Sequence, residues 1–204
     1  IHYFPIEFMV DGNQAVESPI GLYAKELSGQ LHIIAADSTM IMNLTKCLAK
    51  CHIEVSDIIV SIYAAGLAVL TEDERALGSI IIDFGANTTS YGIFLDGKIV
   101  YVNHVPIGGM DITIDIAKTF STSIKEAEKL KILYGVADPG LLLKDSVIKL
   151  DNGEHTITAS QLAKIIHPKI KGIAEVIKKQ CDSMSMDHLL ARQVVISGGG
   201  AALG

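Results

Sequence analysis

The chain has 204 residues, 49% of them hydrophobic, and a formal net charge of −6. This is enough apolar material for one large domain or two small ones with buried cores. The acidic balance argues against nucleic acid as a partner, because that binding depends on Lys and Arg neutralising phosphates. The longest nearly apolar stretch, residues 58–70, is shorter than the roughly 20 residues of a membrane span. With no Lys/Arg-led apolar start, the default compartment is the cytoplasm.

The first 54 residues predict a small α+β domain. Alternating apolar and polar side chains in residues 2–12 and 30–36 are typical of half-buried strands. Asp37 or Ser38 can cap a following helix whose apolar residues recur at helical spacing.

Two cysteines of that helix, Cys47 and Cys51, are four residues apart and precede His52. This spacing could present two thiolates to a metal, but a fourth ligand is not evident. We therefore favour small buried hydrophobic side chains on the apolar side of the helix. Together with Cys181 the cysteines number three, so they cannot all pair, which fits a reducing compartment.

Residues 57–110 have the pattern of a layered α/β unit. The apolar run 57–62 predicts a strand buried on both faces, residues 64–78 a helix, and residues 79–83 a second buried strand. Asp96-Gly97 between two alternating runs predicts a hairpin.

The sequence pattern from residue 123 onward predicts mainly helical structure. Ser123 and Glu126 have capping-box spacing, and Gly135 is placed where a helix ends. Asn152-Gly153 predicts another hairpin. Residues 160–183 predict a long amphipathic helix despite Pro168, and residues 193–197 a final strand.

Two strand-to-glycine turns, IIIDFGANTT and QVVISGGGAALG, could contact a polyphosphate. Glycine lets main-chain N–H groups approach the phosphate, and the hydroxyl of Thr88 or Thr89 adds a donor. Asp83, at the strand end, could hold the hydration shell of a Mg²⁺. Each turn alone could equally be structural. Neither matches the Walker A or dinucleotide-binding pattern.

The order of these elements resembles the second phosphate motif and the adenosine motif of the actin, sugar kinase and heat-shock chaperone superfamily. The finer resemblance is to the bacterial cell-division family FtsA, with LTEDERALG and the EAEKLK helix the most specific segments. It implies an α/β, actin-like (ribonuclease H-like) ATPase fold, partial, with a small inserted α+β domain.

The resemblance also implies four parts. These are the inserted domain at 1–54, an actin-like core with the phosphate-binding hairpin at 55–110, an upper-lobe subdomain at 111–160, and a return to the core at 161–204 that ends in the adenosine motif.

Site residues follow from the resemblance by position. The Mg²⁺ and the β- and γ-phosphates of ATP would be contacted by Asp83, Gly85, Asn87 and Thr88, with Asp83 the candidate catalytic residue that holds a Mg²⁺-bound water. The adenosine side would be contacted by Glu128 and Lys131, and the sugar and α-phosphate by Gly198, Gly199 and Gly200. Without the resemblance, Glu128 and Lys131 would be an exposed helix ion pair worth about 0.3–0.5 kcal/mol.

The phosphate loop departs from the family pattern Asp-x-Gly-Gly-Gly-Thr-x-Asp. Ala86 and Asn87 replace two glycines, and Ser90 replaces the last acid. Because alanine adopts left-handed backbone poorly, we expect weakened nucleotide binding. Without the second carboxylate we expect at most a weak ATPase.

The function implied is a cell-division assembly protein that binds ATP, polymerises and tethers the FtsZ ring to the membrane. Its partners would be FtsZ, other division proteins, further copies of itself and the membrane, reached through a C-terminal helix outside this sequence. The full-length protein would lie at the cytoplasmic face of the inner membrane at the division site. Since the chain starts at Ile1 and ends at Gly204 within a motif, we expect a central piece that lacks the first phosphate loop.

Three alternatives remain. One is a pilus-assembly actin-like scaffold, which the segment LTEDERALG disfavours because it resembles the cell-division family more specifically. Another is a sugar or acetate kinase on the same fold, which needs an acid or base facing the γ-phosphate. The last is an α/β domain whose glycine turns are only structural.

Overall fold

A computed structural model describes residues 2–12, 14–142, 145–150, 156–183 and 193–203. The strands are β1 (His2–Val10), β2 (Gln14–Val16), β3 (Leu27–Ile34), β4 (Ser79–Phe84), β5 (Thr89–Leu95), β6 (Lys98–Val105), β7 (Val147–Lys149), β8 (Thr156–Thr158) and β9 (Val194–Ser197). The helices are α1 (Ser38–Lys50), α2 (Ser61–Val69), α3 (Glu72–Leu77), α4 (Gly109–Phe120), α5 (Ile124–Tyr134) and α6 (Ala159–Asp182). Short 3₁₀ turns lie at Pro139–Leu141 and Gly199–Ala202.

The N-terminal elements form a small antiparallel sheet followed by a helix. The strand order is β2-β1-β3, which confirms the two predicted strands and adds β2. Asp37 caps α1 as expected, since its carboxylate accepts hydrogen bonds from the amides of Thr39 at 2.7 Å and Met40 at 3.4 Å. However, α1 buries none of its residues. Cys47 and Cys51 are exposed, so their interpretation as buried side chains is wrong.

The central sheet has the order β6-β5-β4-β9, in which only the β4–β9 pairing is parallel. Side chains of β4 pack on both faces of this sheet. Ile81 is fully buried on the side of α2, whereas Ile80 and Ile82 pack into the larger core on the opposite side. The prediction of a strand buried on both faces is therefore confirmed for β4.

The strand predicted at residues 57–62 is wrong. Residues 57–60 have no regular structure, and α2 begins at Ser61. Its Ile62 is 1% exposed and packs with Phe94 beneath the sheet. Gly66 makes this contact possible, because a Cβ there would lie 2.3 Å from the Phe94 ring. A short apolar run does not distinguish strand from buried helix, and packing on the sheet selects the helix.

The helix predicted at residues 64–78 is interrupted. It is divided into α2 and α3, because Thr71 begins a new helix through a capping box with Glu74. The Glu74 amide donates to the Thr71 hydroxyl at 3.2 Å, and the Thr71 amide donates to the Glu74 carboxylate at 2.7 Å. The sequence contains this signal as Thr-x-x-Glu.

The hairpin at Asp96-Gly97 is confirmed. Both residues have positive φ, 50° and 75°, which is the geometry of a type I′ turn. Strands β7 and β8 also pair antiparallel. The turn predicted around Asn152-Gly153 lies outside the described residues.

The face of the sheet opposite α2 is covered by α4, α5 and α6. The largest fully buried side chains there come from β5, α4 and α6, and they include Tyr91, Ile112, Ile116, Leu162 and Ile166. Helix α6 continues through Pro168 as predicted. Helix α4 was not predicted.

Aromatic packing joins the small domain to the core. The Phe4 ring lies 4.8 Å from the Tyr63 ring, which in turn stacks on Phe94 at 6.1 Å. Lys98 adds a hydrogen bond to the Ile6 carbonyl at 2.9 Å. None of the described helices is long and apolar enough to cross a membrane.

Candidate nucleotide site

The two predicted glycine turns meet at one edge of the central sheet. Strands β4 and β9 run parallel, and Asp83 pairs with Ser197 at their carboxyl ends. In α/β sheets, ligands bind in the crevice beyond this edge. The Ser197 hydroxyl lies 3.5 Å from the Asp83 carboxylate. Among the described residues, that carboxylate has no basic partner.

The glycines after β9 allow this turn to approach β4. Gly198 has φ +86°, and a Cβ there would lie 2.5 Å from the Asp83 carboxylate. At Gly200, a Cβ would lie 2.1 Å from the Phe84 ring. Gly199 differs, because a Cβ there would meet no heavy atom within 4 Å. Two of the three glycines are therefore required by packing, and the third faces open space.

A third glycine turn, at Gly108 and Gly109, was not predicted as part of the site. The first amides of α4 bind the phosphate loop, since Gly109 donates to the Gly85 carbonyl at 2.9 Å and Met110 to the Ala86 carbonyl at 2.7 Å. A Cβ at Gly108 would lie 2.5 Å from the Ala86 carbonyl oxygen. The amides that a helix start leaves unpaired thus hold the phosphate loop in place. The signal was Gly-Gly followed by Asp111, whose carboxylate caps α4.

The phosphate loop itself is a tight turn closed by a hydrogen bond from the Gly85 amide to the Thr88 carbonyl at 3.0 Å. Ala86, Asn87 and Thr88 are exposed, whereas Thr89 is buried and donates to the Ile107 carbonyl. Thr88 is therefore the hydroxyl available to a ligand.

The backbone strain expected at Ala86 is not observed. The positive-φ residues of the described chain include neither Gly85, Ala86 nor Asn87. The loop is formed without left-handed backbone, so the conformational reason for expecting weak binding is wrong. The affinity itself stays a prediction.

Ser90 lies beside Asp83. The two residues are partners in the β4–β5 register. An acid at position 90 would therefore place a second carboxylate next to Asp83. In this chain the position carries only a hydroxyl.

Lys131 and Glu128 of α5 complete the site from the other side. The Lys131 ammonium donates to the Gly109 carbonyl at 2.9 Å and to the Thr113 hydroxyl at 2.8 Å, and lies 2.7 Å from the Glu128 carboxylate. Lys131 is only 8% exposed. The alternative of an exposed ion pair is therefore wrong for Lys131, which is buried and donates all its hydrogens.

The pKa of the Glu128 carboxyl is lowered. Partial burial acts to raise it, but hydrogen bonds from Lys131 and Thr113 and the positive charge of Lys131 outweigh that effect. Glu128 is thus held as a carboxylate at neutral pH.

These elements enclose a cavity of about 380 Å³, a size typical of small-molecule sites. It is lined by Gly85, Ala86, Gly109, Met110, Glu128, Lys131, Ile132, Gly199, Gly200, Ala202 and Leu203. Of the predicted site residues, Gly85, Glu128, Lys131, Gly199 and Gly200 line it, whereas Asp83, Asn87, Thr88 and Gly198 do not. Sequence reasoning missed the apolar lining from Met110, Ile132 and Leu203.

The residues that line the cavity, together with those at the adjoining end of β4, fit a nucleotide with Mg²⁺. Apolar side chains suit a base, and glycine backbone suits phosphates. A carboxylate without a basic partner, Asp83, suits the water shell of a Mg²⁺.

Comparison with known proteins agrees with this geometry. The family model described as "Cell division protein FtsA" matches residues 80–202, and the model "SHS2 domain inserted in FTSA" matches residues 1–35. The cell division protein FtsA of Neisseria meningitidis serogroup B is 32% identical over 198 residues, covering 95% of this chain and 48% of that protein. The FtsA of Rhizobium meliloti is 29% identical over 210 residues, covering 100% of this chain and 48% of that protein. The chain therefore spans about half the length of these relatives.

Solved structures show the same fold. MreB5 of Spiroplasma citri bound to ADP matches with a TM-score of 0.67 at 18% identity, covering 82% of this chain and 56% of that one. A chain of the PilM-PilN type IV pilus biogenesis complex matches with a TM-score of 0.68 at 17% identity, covering 99% of this chain and 50% of that one. The predicted actin-like α/β fold is confirmed. By sequence family and fold together, the chain belongs to the FtsA family of cell-division proteins.

Proposed function

We propose that the cavity binds ATP with Mg²⁺ and that the protein is a nucleotide-responsive assembly protein of cell division. The observation that carries this proposal is the convergence on one cavity of about 380 Å³ of three glycine turns and an ion pair between the buried Lys131 and the partly exposed Glu128. Solved relatives of the same fold add support, because MreB5 structures contain ADP or AMPPNP.

The residues that line the cavity, and those next to them in the chain, each have a part in this proposal. The loop of Gly85, Asn87 and Thr88 contacts the β- and γ-phosphates through its amides and the exposed Thr88 hydroxyl, and Asp83 holds a Mg²⁺-bound water. The turn at Gly198, Gly199 and Gly200 lies close to the sugar and the α-phosphate. Glu128 and Lys131 face the adenosine side.

Lys131 acts on such a ligand mainly through its charge. Its three ammonium hydrogens already bind Gly109, Thr113 and Glu128. The Glu128 carboxylate is 40% exposed at its side chain and has further acceptor capacity for a ligand hydroxyl.

Hydrolysis would be slow. Ser90 stands where a second carboxylate would lie beside Asp83, and a hydroxyl cannot act as a base for an attacking water at neutral pH. We therefore propose at most a weak ATPase, whose nucleotide state controls assembly.

In the full-length protein, we propose polymerisation and tethering of the FtsZ ring to the cytoplasmic face of the inner membrane at the division site, through a C-terminal helix and together with other division proteins. Membership of a cell-division family supports this role. The filament of MamK, matched with a TM-score of 0.65, shows that this fold forms polymers elsewhere.

No specific observation favours the alternatives. The match to PilM at 17% identity concerns the fold alone. For a kinase, Glu128 is the one carboxylate among the described lining residues, and it is paired with Lys131.

Calorimetric titration of ATP with Mg²⁺ into the full-length protein tests the binding proposal. We expect saturable binding that Lys131→Ala weakens by at least tenfold, because the variant removes the buried charge. Lys125→Ala is the matched control, since Lys125 is an exposed lysine of the same helix. Absence of binding in the unsubstituted protein would contradict the proposal.

Sedimentation with FtsZ polymers tests the assembly role. We expect the full-length protein to pellet with FtsZ. Recovery no greater than that of an unrelated control protein would refute this part of the proposal.

A further inference from the structure

Thr113 connects α4 with the charged pair of α5. It lies in the second turn of α4 and is fully buried. Its hydroxyl accepts a hydrogen bond from the Lys131 ammonium at 2.8 Å and contacts the Glu128 carboxylate. One hydroxyl therefore touches both charged groups that line the cavity from α5.

The direction of these hydrogen bonds follows from the donors present. The Thr113 hydroxyl has one hydrogen and two nearby acceptors, the Glu128 carboxylate and the Gly109 carbonyl at 3.0 Å. The carboxylate is the stronger acceptor, and the Gly109 carbonyl already receives a hydrogen from Lys131. The hydroxyl therefore donates to Glu128.

The first turn of α4 holds the phosphate loop. Gly109 receives Lys131 at its carbonyl and donates from its amide to Gly85. The α5 side and the phosphate side of the cavity thus meet at Gly109 and Thr113, which are one helical turn apart in α4.

We propose that Thr113 is a positioning residue of this site, which fixes Glu128 and Lys131 in the orientation that faces the ligand and keeps α5 in register with the phosphate loop. The proposal rests on the proposed function in taking the ligand to be a nucleotide. Without the hydroxyl, the partly exposed Glu128 carboxylate can turn to solvent. The buried Lys131 ammonium then has fewer hydrogen-bond partners, and a buried charge without its partners is destabilising.

Three variants of the full-length protein test this inference. Thr113→Val keeps the shape and removes the hydroxyl, and Thr113→Ser restores it. The matched control is Thr119→Val, since exposed Thr119 donates to the Asp115 carbonyl at 2.8 Å on the same helix, with the same i to i−4 spacing. We expect Thr113→Val to weaken ATP binding about tenfold, Thr113→Ser to bind within about twofold of the unsubstituted protein, and Thr119→Val to bind unchanged. Equal affinity of Thr113→Val and the unsubstituted protein would overturn the proposal.

A second readout does not depend on nucleotide. Titration of the Glu128 carboxyl, followed by NMR of ¹³C-labelled glutamate, reports the hydrogen bond from Thr113. We expect the pKa of Glu128 to be higher in Thr113→Val, to return in Thr113→Ser, and to be unchanged in Thr119→Val. If the unsubstituted protein bound no ATP, the proposed function would fail, but this titration would still decide the positioning of the pair: an unshifted Glu128 in Thr113→Val overturns it.

Discussion

The core around the central sheet and the small N-terminal domain use their apolar residues differently. In the core, side chains of β5, α4 and α6 reach complete burial, and the cavity lies directly against this packing. In the small domain, α1 buries none of its residues, and Tyr3, Leu31 and Ile33 of the sheet are 71%, 46% and 60% exposed.

This difference in burial indicates that the core, rather than the small domain, supplies most of the stability and supports the site. The glycine turns of the site are held by close contacts with Phe84, Ala86 and Asp83, so the site depends on core packing. The small domain contacts the core where β1 and β3 lie against β6, with the Phe4 ring on Tyr63 and the Ile6 carbonyl bonded to Lys98. We therefore expect changes in the core to affect folding and binding, and changes in the small domain to remain local.

The largest expected difference in the free energy of unfolding is between a buried leucine of the core and an exposed leucine of the small domain. Leu162→Ala in α6 removes a fully buried side chain and should lower the free energy of unfolding by about 2–5 kcal/mol. Leu44→Ala in α1, where the side chain is 59% exposed, should change it by less than about 0.5 kcal/mol. Urea denaturation of both variants measures this, and equal losses would refute the contrast.

Adjacent glycines of the site give the next largest difference. Gly200→Ala should destabilise the protein by about 1–3 kcal/mol, because its Cβ overlaps the Phe84 ring. Gly199→Ala meets no neighbour and should leave the thermal unfolding midpoint nearly unchanged. A stable Gly200→Ala variant would show that this turn does not pack against β4.

The junction should respond locally. Phe4→Ala removes the ring that contacts Tyr63 and should lower the free energy of unfolding by about 1–2 kcal/mol. This is less than the loss expected for a fully buried phenylalanine. Hydrogen exchange should rise in β1 and β3 and stay constant in α6. Tyr3→Ala is the control, because the Tyr3 side chain is 71% exposed. It should change neither the free energy of unfolding nor the hydrogen exchange of these elements. Increased exchange throughout the core would mean that the two regions unfold as one unit.

The smallest expected effect is the pH dependence of α1. Hydrogen bonds from the amides of Thr39 and Met40 lower the pKa of the Asp37 carboxyl. Because the folded-state pKa is lowered, the cap stabilises α1 above the ordinary aspartate pKa of about 3.9 and is lost as pH falls through the lowered value. The protection factors of the α1 amides, measured by NMR hydrogen exchange and corrected for the intrinsic exchange rate at each pH, should therefore fall at low pH. Asp37→Asn should remove this dependence, and an unchanged profile in that variant would contradict the assignment.

Local signals predicted most of the elements. Asp96-Gly97 marked the β5–β6 hairpin, Ser123 and Gly135 bounded α5, and alternation marked β1 and β3. Each of these depends on neighbouring residues alone, which is why the sequence was sufficient. The strand predicted at 57–62 failed because its outcome depended on whether Ile62 could pack against Phe94, a contact between residues distant in sequence.

The same distinction holds for the site. The two turns that contain Gly85 and Gly198 could be found as motifs, and the family resemblance pointed to Lys131. The burial of Lys131, the role of Gly109 and the contacts of Thr113 result from how α4 and α5 pack together. No local pattern encodes that packing.

Hydrogen exchange of the full-length protein with and without ATP and Mg²⁺ tests the central claim most directly. We predict that nucleotide slows exchange in residues 85–90, 107–113, 128–132 and 198–203, the segments that form and support the cavity, and leaves the small-domain strands β1 to β3 unchanged. No slowing in these segments, or slowing confined to the small domain, would contradict the assignment of this cavity as the nucleotide site.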